Sequence, residues 1–251
     1  MTTYLNLLVF NILAPCWASH THYDVDSYLL DRNYRRNRII DTIQSSNADV
    51  VCLQEVTEIE FKAIRAGLPH FKGFRSNNAP NYWENWITED TPWEPNGTAI
   101  FARNSKFTSL SFKDYALSES GNHATRLICH VNDLEVSIWS IHLDSDNPKT
   151  RSIELESLLM NETKGKEIIA GDYNINIDTS NLKYMLETRG FVNVLRKVGN
   201  FEPTHPFSSK YYQANTYSIL DHVMLLGGTP ISGDVLDNGV WSISDESKRI
   251  A

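Results

Sequence analysis

Cysteine is scarce in this chain of 251 residues: Cys16, Cys52 and Cys129 form an odd set with no Cys-x-x-Cys pair. That argues against a disulfide framework or a cysteine zinc site, so each is expected to serve as a small core hydrophobe. No apolar stretch approaches the roughly 20 residues that a membrane helix needs. The start Met1-Thr2-Thr3-Tyr4 lacks the basic-then-apolar pattern of a signal peptide. The expectation is an intracellular protein, cytoplasmic first with the nucleus left open, in which the Asn-x-Ser/Thr matches at Asn96 and Asn161 stay idle. Cationic residues are also in deficit, 23 Lys and Arg against 31 Asp and Glu, giving a net charge of −8. That balance disfavours non-specific coating of DNA, which depends on neutralised phosphates, but leaves open a nuclease that meets phosphates through metal ions. HExxH, GxSxG and Walker A signatures are missing, and Lys164-Gly165-Lys166 lacks the preceding glycine frame. With no repeat, low-complexity tract or long linker, residues 1–251 read as a single domain.

What is present is a series of short apolar runs with polar punctuation: Leu5 to Leu13, Val50 to Leu53, Thr98 to Ala102, Thr125 to Val131, Leu134 to Leu143, Glu167 to Ala170 and Ile219 to Leu226. Their length and Val/Ile content predict strands, several buried on both faces. Helical spacing appears over Asp31 to Gln44, where Ile39, Ile40 and Ile43 share a face and Arg35 and Arg38 lie away from it. Further helices are predicted over Glu58 to Ala66, Pro148 to Asn161 and Asn181 to Thr188, the last closed by Gly190. Consecutive strands from Thr98 to Leu143 point to an α/β or α+β layered fold with mixed sheets. Residues 77–97 fit neither period and read as a long loop.

Several strands run into acidic, amide or imidazole residues: Asn11, Gln54-Glu55, His142, Asp172-Tyr173-Asn174 and Asp221-His222. A carboxylate at the interior end of an apolar strand is costly unless paired or bound to a cation. One such ending is commonly a cap or an ion pair; five are not naturally explained by capping. Ligands in open α/β sheets collect at strand carboxyl ends, where these residues would converge. Oxygen donors without HExxH suit a hard cation, Mg²⁺ or its substitute Mn²⁺, and metal-assisted attack of water on a phosphate ester is the best-fitting reaction class.

The ordered set Asn11, Leu53-Gln54-Glu55-Val56, Ile141-His142-Leu143, Gly171-Asp172-Tyr173-Asn174 and Leu220-Asp221-His222-Val223 resembles the endonuclease/exonuclease/phosphatase superfamily. Phe10-Asn11-Ile12-Leu13-Ala14, the arginine-bearing helix before Ala48-Asp49-Val50-Val51-Cys52-Leu53-Gln54-Glu55, and Gly97-Thr98-Ala99-Ile100-Phe101 resemble its deadenylase and nocturnin-like branch. The resemblance implies a four-layer αββα sandwich of two packed mixed β-sheets and a Mg²⁺-dependent phosphodiesterase acting on nucleic acid or nucleotides, RNA favoured. A phosphatase or lipid phosphodiesterase of the same superfamily is the first alternative, and an inactive phosphate- or partner-binding domain the second. The resemblance also implies roles. Glu55 is the principal metal ligand, with Asn11 beside it binding metal or phosphate. Asp172 orients or deprotonates water, Asn174 donates to phosphoryl oxygens, His142 contacts phosphate, and Asp221 holds the histidine of a C-terminal Ser-Asp-His motif.

That motif is not found. The tail reads Ser244-Asp245-Glu246-Ser247-Lys248-Arg249-Ile250-Ala251. Three readings stand: the last strand and its motif lie beyond the sequence, Ser244-Asp245-Glu246 is a degenerate copy, or His222 supplies the imidazole. The last fits poorly, because successive side chains on a strand point to opposite faces. Tyr82, Trp83, Trp86 and Trp93 either stack substrate bases or pack within their own loop. Arg126 reaches phosphate or forms a surface ion pair. His123, His130 and His205 are expected as ordinary polar residues, and Arg32, Arg35, Arg36 and Arg38 as a mostly solvated helix face.

Overall fold

The computed structural model describes residues 4–20, 23, 25–78, 94–119, 121–131, 133–161, 165–200, 204 and 219–233. Two mixed sheets pack face to face. One orders its strands β1 (Leu7–Asn11), β2 (Val50–Thr57), β4 (Asn96–Arg103) and β3 (Phe71–Arg75). The other runs β5 (Ser109–Ala116), β6 (His123–Val131), β7 (Leu134–His142), β8 (Lys166–Asp172), β10 (Asp221–Leu226) and β9 (Val192–Asn193). Only β1 with β2 and β7 with β8 pair in parallel among these strands.

The period of two decides which residues enter the central layer. Val50, Cys52 and Ile100 of the first sheet meet Leu127, Cys129, Ile138 and Ala170 of the second. The alternate residues face outward. After the single turn α1 (Ser27–Leu30), α2 (Arg32–Ser45) and α3 (Glu58–Gly67) cover Val51, Leu53 and Phe101 through Ile39, Ile43, Phe61 and Ile64. On the other outer side, Trp139, Ile141, Ile169 and Met224 pack under α4 (Pro148–Leu159) and α5 (Asn181–Glu187) through Leu155, Leu158, Leu182 and Leu186. The result is the expected αββα sandwich. Each Val, Leu, Ile, Phe or Met side chain so enclosed contributes about 1.5–3 kcal/mol relative to exposure.

The helices begin where short polar residues accept the first free backbone donors. Asp31 accepts from Tyr34 N at 2.8 Å, Thr57 from Glu60 N at 3.3 Å, and Asn147 from Lys149 N at 2.9 Å ahead of Pro148. Cys16, Cys52 and Cys129 are buried and unpaired with one another. Burial pushes the Cys129 thiol up to about 12 and, with Glu55 adding to it, the Cys16 thiol up to about 11. These are core residues, as expected.

The arginine helix departs from expectation. Arg35 is only 8% exposed, and Arg32 and Arg36 are engaged with Glu60 at 2.5 and 2.8 Å. The face is therefore tied to the turn after β1 and to α3, not chiefly solvated. His123 pairs with Asp114 at 2.9 Å, and His130 lies 2.8 Å from Ser109 Oγ, as ordinary polar residues.

Candidate active site

The two sheets bring their polar strand ends to one place. In the second sheet, His142 of β7 stands opposite Asp172 of β8, and Asp172 stands opposite Asp221 of β10. Asp221 opens its strand instead of closing it; because β10 runs antiparallel to β8, its first residue reaches the end where β8 finishes. Alternation sends all three side chains toward the central layer, in step with Ser140, Ala170 and Val223.

From the first sheet, Asn11 follows the inward positions Leu7 and Val9. Glu55 gets there differently. Strict alternation would point it outward with Val51 and Leu53, but the β2–β4 register shifts between Leu53 and Val56, and Glu55 takes a φ of 59°. A bulge of this kind re-aims one side chain. Its carboxylate turns inward, where Oε2 accepts from Ala14 N at 2.8 Å.

Asn11 joins the sheets. Its Nδ2 donates to Glu55 Oε1 at 2.9 Å and to Asp172 Oδ2 at 3.0 Å, while its Oδ1 accepts from Leu13 N at 3.0 Å. Asp172 Oδ1 accepts from Asn174 N at 2.7 Å, and Asn174 Nδ2 donates to Leu143 O at 2.8 Å. His142 Nε2 lies 3.9 Å from Asp172 Oδ2. The close approach of β8 to β7 needs Gly171, since a Cβ there would sit 2.0 Å from Ile141 O at a φ of +147°. Leu13, Glu55 and Asn174 are three of the four described non-glycine residues with positive φ, so backbone strain gathers around this cluster.

Electrostatics set it apart. Glu55 and Asp172 are 9% and 5% exposed, and Asp221 Oδ1 is buried with no hydrogen-bond partner among the described residues. Burial, with Asp172 and then Glu55 close by, pushes the Asp221 carboxyl well above the usual carboxylate range. Among the described residues no lysine or arginine side chain is paired with Glu55, Asp172 or Asp221, and the three carboxyls with the Asn11 amide form an oxygen donor set suited to a hard divalent ion. Among the described residues no three His, Cys, Asp or Glu side chains enclose an ion by themselves. Mg²⁺ characteristically takes one or two carboxylates and completes its shell with water and substrate phosphate.

A sequence profile of the endonuclease/exonuclease/phosphatase family matches residues 5–235. The chain belongs to this family. It is 25% identical over 173 residues, 68% of its length, to the CCR4-Not complex 3′-5′-exoribonuclease subunit Ccr4 of Schizosaccharomyces pombe, and so spans only 24% of that relative. This relative fits the deadenylase-like branch that the motifs resemble. Among solved structures, the endonuclease/exonuclease/phosphatase from Bacteroides vulgatus has a TM-score of 0.67 at 19% identity, covering 90% of this chain and 88% of its own. ANGEL2, a 2′,3′-cyclic phosphatase, has a TM-score of 0.66 at 16% identity, covering 89% and 83%. These likenesses show the shared fold.

Not every expected site residue joins the cluster. Arg126 is held elsewhere: it follows Ala124 outward on β6, its Nε donates to Ser137 Oγ at 2.9 Å, and its guanidinium lies 4.5 Å from the Trp139 ring centroid and 3.6 Å from Glu167. Alternation puts it on the face opposite Asp172, so in this family member it is a buried ion-pair residue, neither a phosphate ligand at the cluster nor a surface pair. His222 also turns outward. Its Nε2 lies 3.2 Å from the carbonyl oxygens of Ile175 and Ile219, and burial draws the imidazole down to about 4. It does not supply the missing imidazole. Trp83, with Tyr82, Trp86 and Trp93, lies outside the described residues, as do His205 and the Ser244-Asp245-Glu246 tail. Among the described residues no helix is long and apolar enough to cross a membrane.

Proposed function

We propose that this chain is a Mg²⁺-dependent phosphodiesterase of nucleic acid or nucleotides, with RNA the favoured substrate. The observation carrying this reading is the Asn11 amide that draws the Glu55 and Asp172 carboxylates together across the sheets, beside the buried Asp221. Glu55 would hold the ion, or Mn²⁺ in its place, with Asn11 beside it. When bound, the ion supplies positive charge against the nonbridging oxygens of a phosphodiester.

The remaining work falls to side chains already in place. Asp172, fixed through Oδ1 by the Asn174 N–H, orients a water and takes its proton as the water oxygen attacks phosphorus. Asn174, one amide N–H of which goes to Leu143 O, offers the other to a phosphoryl oxygen without adding negative charge, and His142 donates to the oxygens on which charge builds. As the new phosphorus–oxygen bond forms, the bond to the departing oxygen breaks and that oxygen takes a proton from solvent beside Asp221. RNA is favoured by the exoribonuclease name of the S. pombe relative; the cyclic phosphatase likeness favours a phosphatase as the second reading.

The test is a hydrolysis panel with Mg²⁺ and with chelator on oligo(A) RNA, single- and double-stranded DNA, dinucleotides, inositol phosphates and sphingomyelin. Chelator-sensitive hydrolysis of RNA is expected. Turnover of inositol phosphates or sphingomyelin alone supports the alternatives, and no turnover on any substrate supports a phosphate- or partner-binding domain.

A further inference from the structure

The chain leaves β1 through a tight turn at Ile12, Leu13 and Ala14. Leu13 holds a φ of 54°, a left-handed conformation that leucine adopts only under constraint. Arg35, in the first turn of α2, supplies the constraint. Its Nη2 donates to Ile12 O and to Leu13 O, each at 2.6 Å.

Those two carbonyls belong to the peptide units whose N–H groups serve the site. In a trans peptide the carbonyl oxygen and amide hydrogen point in opposite directions across one rigid plane. The unit gripped at Ile12 O presents Leu13 N–H to Asn11 Oδ1 at 3.0 Å, and the unit gripped at Leu13 O presents Ala14 N–H to Glu55 Oε2 at 2.8 Å. A charged donor on the carbonyl side also polarises the unit and strengthens the bond made by its N–H. Glu55 in turn lies close enough to favour the charge on the buried Arg35, against the pull of burial.

We propose that Arg35 is a positioning residue: by fixing two peptide planes it sets the direction of the Asn11 amide and the Glu55 carboxylate, and so the affinity of the site for a divalent ion. The affinity part rests on the reading of Glu55 as the residue that holds Mg²⁺. Arg35 never meets the ion or the substrate. It acts as outer partners of metal ligands do, whose loss typically weakens binding about 10–100-fold.

Calorimetric titration of Mg²⁺ into wild type, Arg35→Met, Arg35→Lys and the double variant Arg35→Met/Leu13→Gly tests this. Arg35→Met is expected to bind about 10-fold more weakly or worse, and Arg35→Lys, which keeps a charged donor, to lose less. Turnover at saturating Mg²⁺ should stay within about 3-fold of wild type, unlike the loss of a group that touches substrate. Glycine at position 13 takes the left-handed turn without strain, so it should recover several-fold of the lost affinity. Unchanged Mg²⁺ binding in Arg35→Met, or no recovery in the double variant, overturns the proposal; if Arg35→Met does not fold, unchanged binding in Arg35→Lys does so. Hydrogen exchange at the Leu13 and Ala14 amides reads the same proposal without any ion. Faster exchange in the Arg35 variants supports it and unchanged exchange overturns it. A wild type that binds no Mg²⁺ but shows the exchange effect refutes the metal reading and leaves the positioning role standing.

Discussion

The second sheet carries two buried polar groups on opposite faces, and they are built differently. On the outer face, Glu167 is fully buried, accepts from Trp139 Nε1 at 2.7 Å and from Ser137 Oγ at 3.1 Å, and has Arg126 as counter-charge. On the inner face, Asp172 and Asp221 lie close to Glu55 with amides and backbone N–H groups around them and, among the described residues, no guanidinium or ammonium paired with them. The first carries its own counter-charge, as a group that supports folding should, although Arg126 Nη2 has no hydrogen-bond partner among the described residues. The second keeps surplus negative charge out of water, which is tolerable for a protein only if something else neutralises it. Burial of polar residues is common to both; the charge balance distinguishes a structural network from a candidate catalytic one.

Substitutions on the two faces should separate activity from stability. The largest effect is expected inside: Glu55→Gln and Asp172→Asn should each lower Mg²⁺-stimulated turnover by roughly 100-fold or more while leaving the circular-dichroism melt nearly unchanged. Near-normal rates in both would break the functional side of the comparison. Outside, Glu167→Gln leaves Arg126 buried without its counter-charge and should cost about 3 kcal/mol by urea unfolding, with turnover of the folded fraction retained. A loss of turnover without a loss of stability would reverse the two roles.

The closed ion-pair group around Glu60 offers a pH test. Burial tends to raise the Glu60 carboxyl, but hydrogen bonds from Arg32, Thr57 and Arg36 outweigh it and bring it down to about 2. A carboxyl depressed in the folded state contributes stability that is present above the ordinary carboxylate range and lost as pH falls through about 2. Glu60→Gln should therefore lower stability at neutral pH and flatten its decline in acid; an identical acid limb would show that the pairs contribute little. The smallest effect belongs to Asp221. Its folded form prefers the neutral carboxyl, so Asp221→Asn should stabilise the protein at pH 7 in chelator by about 1 kcal/mol, where Glu167→Gln destabilises it. A destabilised Asp221→Asn would mean that its charge is already compensated.

The fold was legible where burial writes a clean period. The apolar runs around Val50, Ile100, Leu127, Ile138, Ile168 and Val223 all became strands, because both faces of these segments are enclosed. Strands β3 and β5 escaped notice because Phe71–Arg75 and Ser109–Ala116 bury little and carry Lys, Arg and Asp. At the cluster, the strand-end positions brought Asn11, His142, Asp172 and Asp221 together, and alternation sent His222 the other way. It could not place Glu55, whose direction depends on a bulge, although Gln54-Glu55 standing between the outward Leu53 and Val56 was the available sign. Arg126 and Arg35 were misread for one reason. The sequence pattern suggests phosphate or solvent for such charged residues, whereas the partners that let each be buried, Glu167 and the carbonyls of residues 12 and 13, are distant in sequence. Arg126 stands an odd number of residues, one and three, from Leu127 and Cys129 of the central layer, so alternation places it with Ala124 on the opposite face.

The most direct test of the surplus-charge account is the melting temperature of wild type, Glu55→Gln and Glu167→Gln as Mg²⁺ is titrated. An ion that binds only the folded state stabilises it by about 2.7 kcal/mol at 100 times its dissociation constant. The account predicts a Mg²⁺-dependent rise for wild type and for Glu167→Gln, from its lower starting point, and little or none for Glu55→Gln. A flat wild-type response, or an equal rise in Glu55→Gln, would contradict it.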